Sequence, residues 1–182
     1  MSFNDLSLSL KGINVYLIGM MGCGKSTAGH LLAQRLGYRF LDSDAVIVQA
    51  TGCSIAQLFA ESGETAFRAI ETQVLSELAA HTRLVVATGG GIVLERANWG
   101  HLQQGLVVWL DASADILWQR LKHDTTRPLL QTPNPKQTLQ VFLDQRQPLY
   151  AQADLRIEIQ ADDSPDQVVD RILETMPDVL KP

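Results

Sequence analysis

The stretch Gly19-Met20-Met21-Gly22-Cys23-Gly24-Lys25-Ser26 matches the phosphate-loop pattern G-x-x-x-x-G-K-[ST]. An apolar run, residues 13–18, precedes it, and a helical pattern over residues 25–36 follows it and ends before Gly37. Glycines let successive backbone N–H groups curl around phosphate oxygens, and the helix N-terminus adds its positive end. A chance glycine-rich turn is the alternative, but the strand before and the helix after the motif disfavour it. The motif therefore predicts a nucleoside triphosphate site, with Lys25 on the β- and γ-phosphates and Ser26 on Mg²⁺.

The rest of the chain alternates short apolar runs with helical patterns, which is typical of a parallel α/β sheet. Predicted strands cover residues 13–18, 38–41, 84–87, 106–110 and 155–159, and predicted helices cover 25–36, about 67–78, 114–121, about 138–143 and a segment starting at Pro165. We expect one domain over residues 1–182, with an open five-stranded parallel sheet, helices on both faces and a P-loop kinase fold. Residues 122–136 contain three prolines and predict a surface loop that acts as a lid.

Composition limits the classes of partner. The chain has 182 residues, with 15 Lys plus Arg against 20 Asp plus Glu and a formal net charge of −5. This balance argues against binding to nucleic acid or to an anionic membrane, although a local basic pocket remains compatible with it. The cysteines, Cys23 and Cys53, form neither a disulfide framework nor a metal-binding spacing. With no signal peptide or membrane span apparent in the sequence, we expect a cytoplasmic protein.

Several features beyond the phosphate loop narrow the choice among phosphate-loop proteins. The guanine-reading pattern N-K-x-D is absent, which argues against a GTPase. Five further features occur in order: Asp42-Ser43-Asp44 after the second predicted strand, Phe67-Arg68 with Glu71 three residues on, Gly89-Gly90-Gly91 after the third strand, Arg127-Pro128-Leu129-Leu130 in the predicted lid, and Arg146-Gln147-Pro148-Leu149-Tyr150.

Together with the phosphate loop, these features closely resemble the shikimate kinase family, from about Val15 to the final helix. The resemblance implies transfer of phosphate from ATP, with Mg²⁺, to the 3-hydroxyl of shikimate in the route to chorismate and the aromatic amino acids. It also implies a monomer. Another small-molecule kinase, acting on gluconate or a nucleoside monophosphate, is the first alternative. A catalytically inactive relative that serves as a binding protein is the second, although no motif residue is missing.

The resemblance assigns shikimate to a region of about residues 43–80 and to residues further along the chain. Arg68 and Arg146 match the arginines that bind the substrate carboxylate, for which a guanidinium fork is suited. Without the resemblance, Arg68 would be a surface pair with Glu71, and Arg146 a solvated helix residue. The resemblance implies instead that Glu71 orients the Arg68 side chain from the side away from the substrate. The resemblance also implies that the backbone N–H groups of Gly90 and Gly91 bind shikimate. Phe59 and Phe67 match residues of the apolar wall of its pocket, and Met21 is a further candidate for that wall.

The Asp42-Ser43-Asp44 segment contains residues that are expected to bind Mg²⁺ and the hydroxyl groups of shikimate. Asp44 matches the aspartate that accepts hydrogen bonds from shikimate hydroxyls, including the attacking one, as a base or only as an orienting group. Asp42 and Ser26 are the expected Mg²⁺ residues. A structural interpretation is that Ser43 or Asp44 caps the next helix, and both interpretations can hold for different atoms.

The residues expected to bind ATP are Gly22, Cys23, Gly24, Lys25, Ser26, Thr27, Arg120 and Arg127. Arg120 matches an arginine against the adenine ring, and Arg127 matches the lid arginine that reaches the γ-phosphate. Lys25, Asp44 and Arg127 are thus the expected catalytic residues. Cys23 is either a reactive thiol or, as we favour, a small residue that fills the turn. Residues 162–165 are a weak candidate for the edge of the adenine pocket.

Residues 106–111 formally fit a second nucleotide-binding pattern, an apolar strand followed by an aspartate. That pattern would make Asp111 the Mg²⁺ ligand. However, it is common wherever a buried strand meets a helix cap, and Ala112-Ser113 fits such a cap. We therefore interpret Asp111 as structural.

Overall fold

The computed structural model describes residues 10–124 and 130–180. Its strands are β1 (Val15–Ile18), β2 (Arg39–Asp42), β3 (Leu84–Ala87), β4 (Leu106–Ala112) and β5 (Leu155–Ile159). Its helices are α1 (Lys25–Leu36), α2 (Ser43–Thr51), α3 (Ile55–Ala79), α4 (Arg96–Leu102), α5 (Ala114–Leu121), α6 (Pro135–Tyr150) and α7 (Pro165–Val179), with a 3-10 turn at Ile92–Leu94. These elements confirm the α/β fold expected from the alternation of apolar runs and helical patterns.

The sheet places the phosphate loop at its centre. Its strand order is β2-β3-β1-β4-β5, and every pairing is parallel. β1 therefore lies between β3 and β4, where the chain connections diverge to the two sides of the sheet. Ligands of open α/β sheets bind at such a switch point, beyond the carboxyl ends of the strands. The loop after β1 opens at this place.

Helices cover both faces of the sheet. On one face, a Cβ added to Gly29 of α1 would meet Phe40 of β2 and Leu17 of β1. On the other face, Tyr150 of α6 stacks on Trp109 of β4, with 5.9 Å between ring centroids. Trp109 pairs with Ile18, the neighbour of Leu17 in β1, and successive side chains of a strand point to opposite faces. Consequently α1 and α6 enclose the sheet from opposite sides.

Several boundaries differ from the sequence prediction. The helix predicted over about 138–143 is the longer α6, which begins at Pro135 inside the predicted loop of residues 122–136. Proline is favoured in the first turn of a helix, where its missing N–H costs nothing, and the Asn134 side chain accepts a hydrogen bond from Gln137 N at 3.4 Å. The prediction also missed α2 and α4.

The Phe67-Arg68 motif lies in α3, which is longer than predicted and is interrupted at Gly63. Gly63 has φ 78° and ψ 172°, a conformation that is essentially restricted to glycine.

Within residues 10–124 and 130–180, no helix has both the length and the apolar character that crossing a membrane requires.

Candidate active site

The phosphate loop has the backbone geometry that its glycines predict. Gly19, Gly22 and Gly24 have φ values of 139°, 80° and 103°, in the region that favours glycine. Gly24 is the N-cap of α1 and brings no side chain to the first N–H groups of that helix. These donors and the positive end of the helix dipole point to the space above the loop, which suits an anion.

Lys25 lies inside the curve of the loop. Its Nζ donates to the carbonyl oxygens of Gly19 at 2.7 Å and Met20 at 2.9 Å. The side chain is nearly buried, and Nζ lies 3.7 Å from Cys23 Sγ. Cys23 is itself buried in the turn, as expected for a small filling residue. The ammonium group is thus held by the loop that is expected to bind the phosphates.

Asp42 joins the phosphate loop to the end of β2. Its Oδ2 accepts a hydrogen bond from Ser26 Oγ at 2.6 Å, while its Oδ1 accepts from the backbone N–H groups of Asp44 at 3.0 Å and Ala45 at 3.3 Å. Asp42 is therefore the N-cap of α2, so the prediction of Ser43 or Asp44 as the cap is wrong. The reason is that α2 begins at Ser43, directly after β2 ends at Asp42.

The donor set at Ser26 and Asp42 fits a magnesium ion. A hydroxyl and a carboxylate oxygen are hard ligands of the kind that Mg²⁺ prefers. The described parts of the chain hold no cluster of three or more His, Cys, Asp or Glu residues suited to a metal. A site with one carboxylate and one hydroxyl matches the usual Mg²⁺ arrangement, in which waters and substrate phosphates complete the coordination.

A cavity of about 570 Å³ surrounds the loop. Arg120 of α5 lines it and donates from Nη1 to the carbonyl oxygens of Gly22 at 3.2 Å and Cys23 at 3.3 Å. The wall also includes Gly22, Cys23, Gly24, Lys25, Ser26, Thr27, Asp42, Ile159, Asp163, Pro165 and Val168. The predicted nucleotide residues before the lid therefore converge on one cavity, and Asp163 and Pro165 of the predicted segment 162–165 form part of its edge.

Arg68 is a buried cation between two carboxylates. Its Nη1 donates to Glu71 Oε2 at 2.7 Å, and its Nη2 donates to Glu64 Oε1 at 3.0 Å. The Arg68 and Glu71 side chains are only 8% and 1% exposed, whereas Glu64 is 56% exposed. The alternative of a surface pair between Arg68 and Glu71 is therefore wrong, because α3 turns this face inward.

Burial and charge act against each other in this pair. Burial raises the pKa of Glu71 above its ordinary value, and the neighbouring Asp44 adds to this rise, although Arg68 opposes it. Burial alone would lower the pKa of Arg68, but Glu71 and Glu64 reverse that effect and raise it. Arg68 therefore keeps its charge inside the fold.

Arg146 is a second buried cation. It is 4% exposed, so the alternative of a solvated helix residue is wrong. Its guanidinium lies over the Phe142 ring, 4.9 Å from the centroid, and its Nη1 donates to the Gly90 carbonyl at 3.3 Å. No carboxylate of the described residues forms a salt bridge with Arg146, and a buried charge is costly unless it is paired, so this guanidinium favours an anionic ligand.

The glycine turn after β3 packs directly against these charged groups. A Cβ at Gly89 would lie 2.7 Å from Glu71 Oε1 and 3.0 Å from Asp44 Oδ1, and a Cβ at Gly91 would overlap the Arg68 guanidinium. Ser43 Oγ accepts a hydrogen bond from Gly89 N at 3.1 Å. These close approaches explain why the turn is built from glycine.

A second cavity lies beside the first and brings the predicted substrate residues together. Its walls are Met21, Asp44, Ile55, Phe59, Phe67, Arg68, Glu71, Gly89, Gly90, Gly91 and Arg146. The Phe59 and Phe67 rings are 4.6 Å apart and form its apolar side. Met21, Asp44, Gly89 and Gly90 line both cavities, so the two spaces adjoin at the phosphate loop.

Some residues that line the cavities were not predicted, and one predicted site residue lies outside the part of the chain that the structure describes. Arg127 lies outside the described residues. Ile55, Thr88, Ile159 and Val168 line the cavities without having been predicted, because an isolated apolar or hydroxyl residue carries no motif. Asp111 is not among the residues that line either cavity and accepts hydrogen bonds from Arg156 at 2.6 and 2.9 Å, as a structural residue would.

Comparison with known proteins identifies the family. The family model described as shikimate kinase matches residues 21–177. A shikimate kinase of Trichormus variabilis is 58% identical over 176 residues, covering 97% of each chain. The solved shikimate kinase from Acinetobacter baumannii, in complex with shikimate, has a TM-score of 0.88 and 39% identity, and the match covers 95% of this chain and 97% of that one. A gluconokinase from Sinorhizobium meliloti, at 18% identity and a TM-score of 0.54, shares the fold alone. This chain belongs to the shikimate kinase family.

Proposed function

We propose that this protein transfers the γ-phosphoryl group of ATP to the 3-hydroxyl of shikimate. The observation that carries the proposal is the shared border of the two cavities. One contains a phosphate loop, and the other contains two buried arginines beside an apolar wall. Phosphoryl transfer depends mainly on positioning and charge stabilisation, which adjoining donor and acceptor sites supply.

Arg68 and Arg146 bind the carboxylate of shikimate in this proposal. Both guanidinium groups are buried, so a carboxylate between them would form charge-assisted hydrogen bonds with little competition from water. Glu71 holds Arg68 in place at 2.7 Å. Phe59 and Phe67 contact the carbon ring, and the backbone N–H groups of Gly90 and Gly91 bind its oxygens.

Asp44 orients the attacking hydroxyl. It lies on the border between the cavities, where a hydroxyl of bound shikimate would face the γ-phosphate. Its carboxylate accepts the hydrogen bond of that hydroxyl and takes the proton as the new O–P bond forms. Because the transition state of phosphoryl transfer is loose, orientation contributes more than base strength.

Ser26 and Asp42 would hold Mg²⁺, with Asp42 acting directly or through a water molecule. The 2.6 Å hydrogen bond between them keeps both oxygens at the loop. When bound there, a divalent cation would supply positive charge that offsets the negative charge developing on the phosphate oxygens. Asp42 is rigidly placed for this task because its other oxygen caps α2.

The cations around the loop complete the ATP site. Lys25 binds the β- and γ-phosphates, and Arg120 packs its guanidinium plane on the adenine. Arg127, from the lid of about residues 122–136, reaches the γ-phosphate on closure and stabilises the transition state. Since one chain supplies the residues of both cavities, we propose that the protein acts as a monomer. We also propose that it acts in the cytoplasm.

A turnover assay tests the proposal. The purified protein is incubated with MgATP and shikimate, gluconate or a nucleoside monophosphate, and ADP release is followed by a coupled assay. We expect turnover with shikimate alone, and phosphorus NMR of the product should show phosphate on the 3-oxygen. Turnover with gluconate or a nucleotide instead would assign another kinase activity. ATP binding without turnover of any acceptor would indicate an inactive relative.

A further inference from the structure

Tyr150, the last residue of α6, contacts the glycine turn, Gly89–Gly91, on the side away from the second cavity. That cavity, which Arg68 and Arg146 line, is called the acceptor cavity below. Its ring is fully buried and stacks on Trp109. Its Oη donates a hydrogen bond to the carbonyl oxygen of Gly90. Tyr150 does not line either cavity, so its effect on a substrate would pass through the turn.

The Gly90 carbonyl receives two donors from one face of α6. Arg146 Nη1 donates to it at 3.3 Å, and Tyr150 lies four residues further along the same helix face. The carbonyl is therefore a common anchor for the glycine turn and for the guanidinium that faces the acceptor cavity. Moving this oxygen would displace both.

A planar trans peptide bond extends this control to the next residue. The Gly90 C=O and the Gly91 N–H lie in one plane and point in opposite directions. Fixing the carbonyl toward α6 therefore also fixes the direction of the Gly91 N–H, in a turn that lines the acceptor cavity. Consecutive glycines have no side chains to resist rotation of this peptide, so the hydrogen bond from Tyr150 adds to the one that closes the turn, from Ile92 N to the Gly89 carbonyl at 3.1 Å.

The phenol is suited to act as a permanent restraint. Burial raises the pKa of Tyr150 well above its ordinary value, so the hydroxyl keeps its proton and remains a donor throughout the neutral range. The stacked ring fixes the position of that hydroxyl relative to the sheet.

We propose that Tyr150 is a positioning residue for the acceptor, setting the orientation of the Gly90–Gly91 peptide and of Arg146 through the Gly90 carbonyl. The inference rests on the proposed function, because it assumes that shikimate occupies this cavity. It adds a residue that acts on acceptor binding without touching either substrate.

The test compares Tyr150→Phe with the wild type and with Tyr16→Phe. Phenylalanine keeps the ring and its stacking and removes only the hydroxyl. Tyr16 is a matched control, since it is equally buried, its hydroxyl accepts from Asn14 at 3.3 Å, and its ring packs against Gly105 at the opposite end of the sheet. For Y150F we expect the KM for shikimate to rise about three- to tenfold, as the loss of one hydrogen bond implies, with the KM for ATP within about twofold.

The outcomes separate this inference from the proposed function. Both variants should lower Tm by a few degrees, but Y16F should leave both KM values unchanged. An unchanged shikimate KM in a folded Y150F, or equal rises for shikimate and ATP, would overturn the positioning role. Failure of the wild type to use shikimate would instead overturn the proposed function.

A second measurement covers the case in which Y150F does not fold. The wild-type sequence is labelled with 3-fluorotyrosine, and its fluorine NMR signals are followed during titration with shikimate. We expect the Tyr150 signal to shift on saturation while the Tyr16 signal stays constant. A Tyr150 signal that does not respond to shikimate would contradict the coupling.

Discussion

Removing Arg68 should destabilise the protein because it leaves a buried carboxylate without its counterion. Glu71 is 1% exposed and pairs with Arg68 at 2.7 Å. Loss of one member of a buried pair typically costs about 3–5 kcal/mol, whereas replacing both members is often neutral. For Arg68→Met we therefore expect a Tm about 6–20 °C lower at pH 8, at about 2–4 °C per kcal/mol for a domain of this size.

The pH dependence of that loss follows from the pKa of Glu71. Burial raises this pKa in the folded protein, and Arg68 opposes the rise. Without Arg68 the folded-state pKa increases further above the unfolded value, so the ionised carboxyl is penalised only in the folded state. The penalty in Arg68→Met is therefore absent at pH values below the unfolded pKa. It develops as pH rises through the folded pKa, so acidification should restore stability relative to the wild type.

Thermal unfolding of three variants between pH 5 and pH 8 measures this effect. The double variant Arg68→Met with Glu71→Gln carries no buried charge of the pair and should recover most of the lost Tm, while its shikimate KM stays raised. Glu64→Gln, which alters the 56% exposed partner, should cost less than about 1 kcal/mol. An Arg68→Met protein as stable as wild type at pH 8, or a double variant no more stable than the single one, would show that Arg68 does not compensate a buried charge on Glu71.

Three further substitutions test other parts of the site. Gly91→Ala should raise the shikimate KM at least about tenfold with little backbone strain, because φ is −98° and the added Cβ overlaps the Arg68 guanidinium; an unchanged KM would contradict that packing. Asp42→Asn should keep the helix cap but raise the Mg²⁺ concentration for half-maximal rate several-fold, and an unaltered Mg²⁺ titration would remove Asp42 from the metal site. Arg127→Ala should lower kcat on the order of 10³-fold with little change in shikimate KM, whereas a KM effect alone would assign it to binding.

Much of the fold could be predicted because its signals are local. The phosphate-loop pattern specifies a strand, a turn and a helix within about twenty residues, and α1, β3, α5 and β5 have the predicted bounds. The errors occur where local signals conflict. Pro135 is one of the three prolines that predicted a loop over residues 122–136, but it lies in the first turn of α6, and that helix also contains Pro148.

The site was harder to predict from the residues alone because its chemistry depends on burial. Arg68 and Arg146 resemble ordinary surface arginines in the sequence, and only the packing of their helices against the glycine turn makes them buried cations that could bind an anion. The resemblance to the family supplied what local physics could not. A role for Tyr150 could not be predicted from the sequence, because its hydrogen bond to Gly90 joins positions 60 residues apart.

In the proposed function, two buried arginines hold the carboxylate of the acceptor beside the phosphate loop. A comparison of kcat/KM for shikimate with that for the same ring lacking the carboxylate, at saturating MgATP, tests this directly. Because the two guanidinium groups would lose the carboxylate that they bind, we expect kcat/KM to fall about 30-fold or more. Equal kcat/KM values for the two compounds would contradict it.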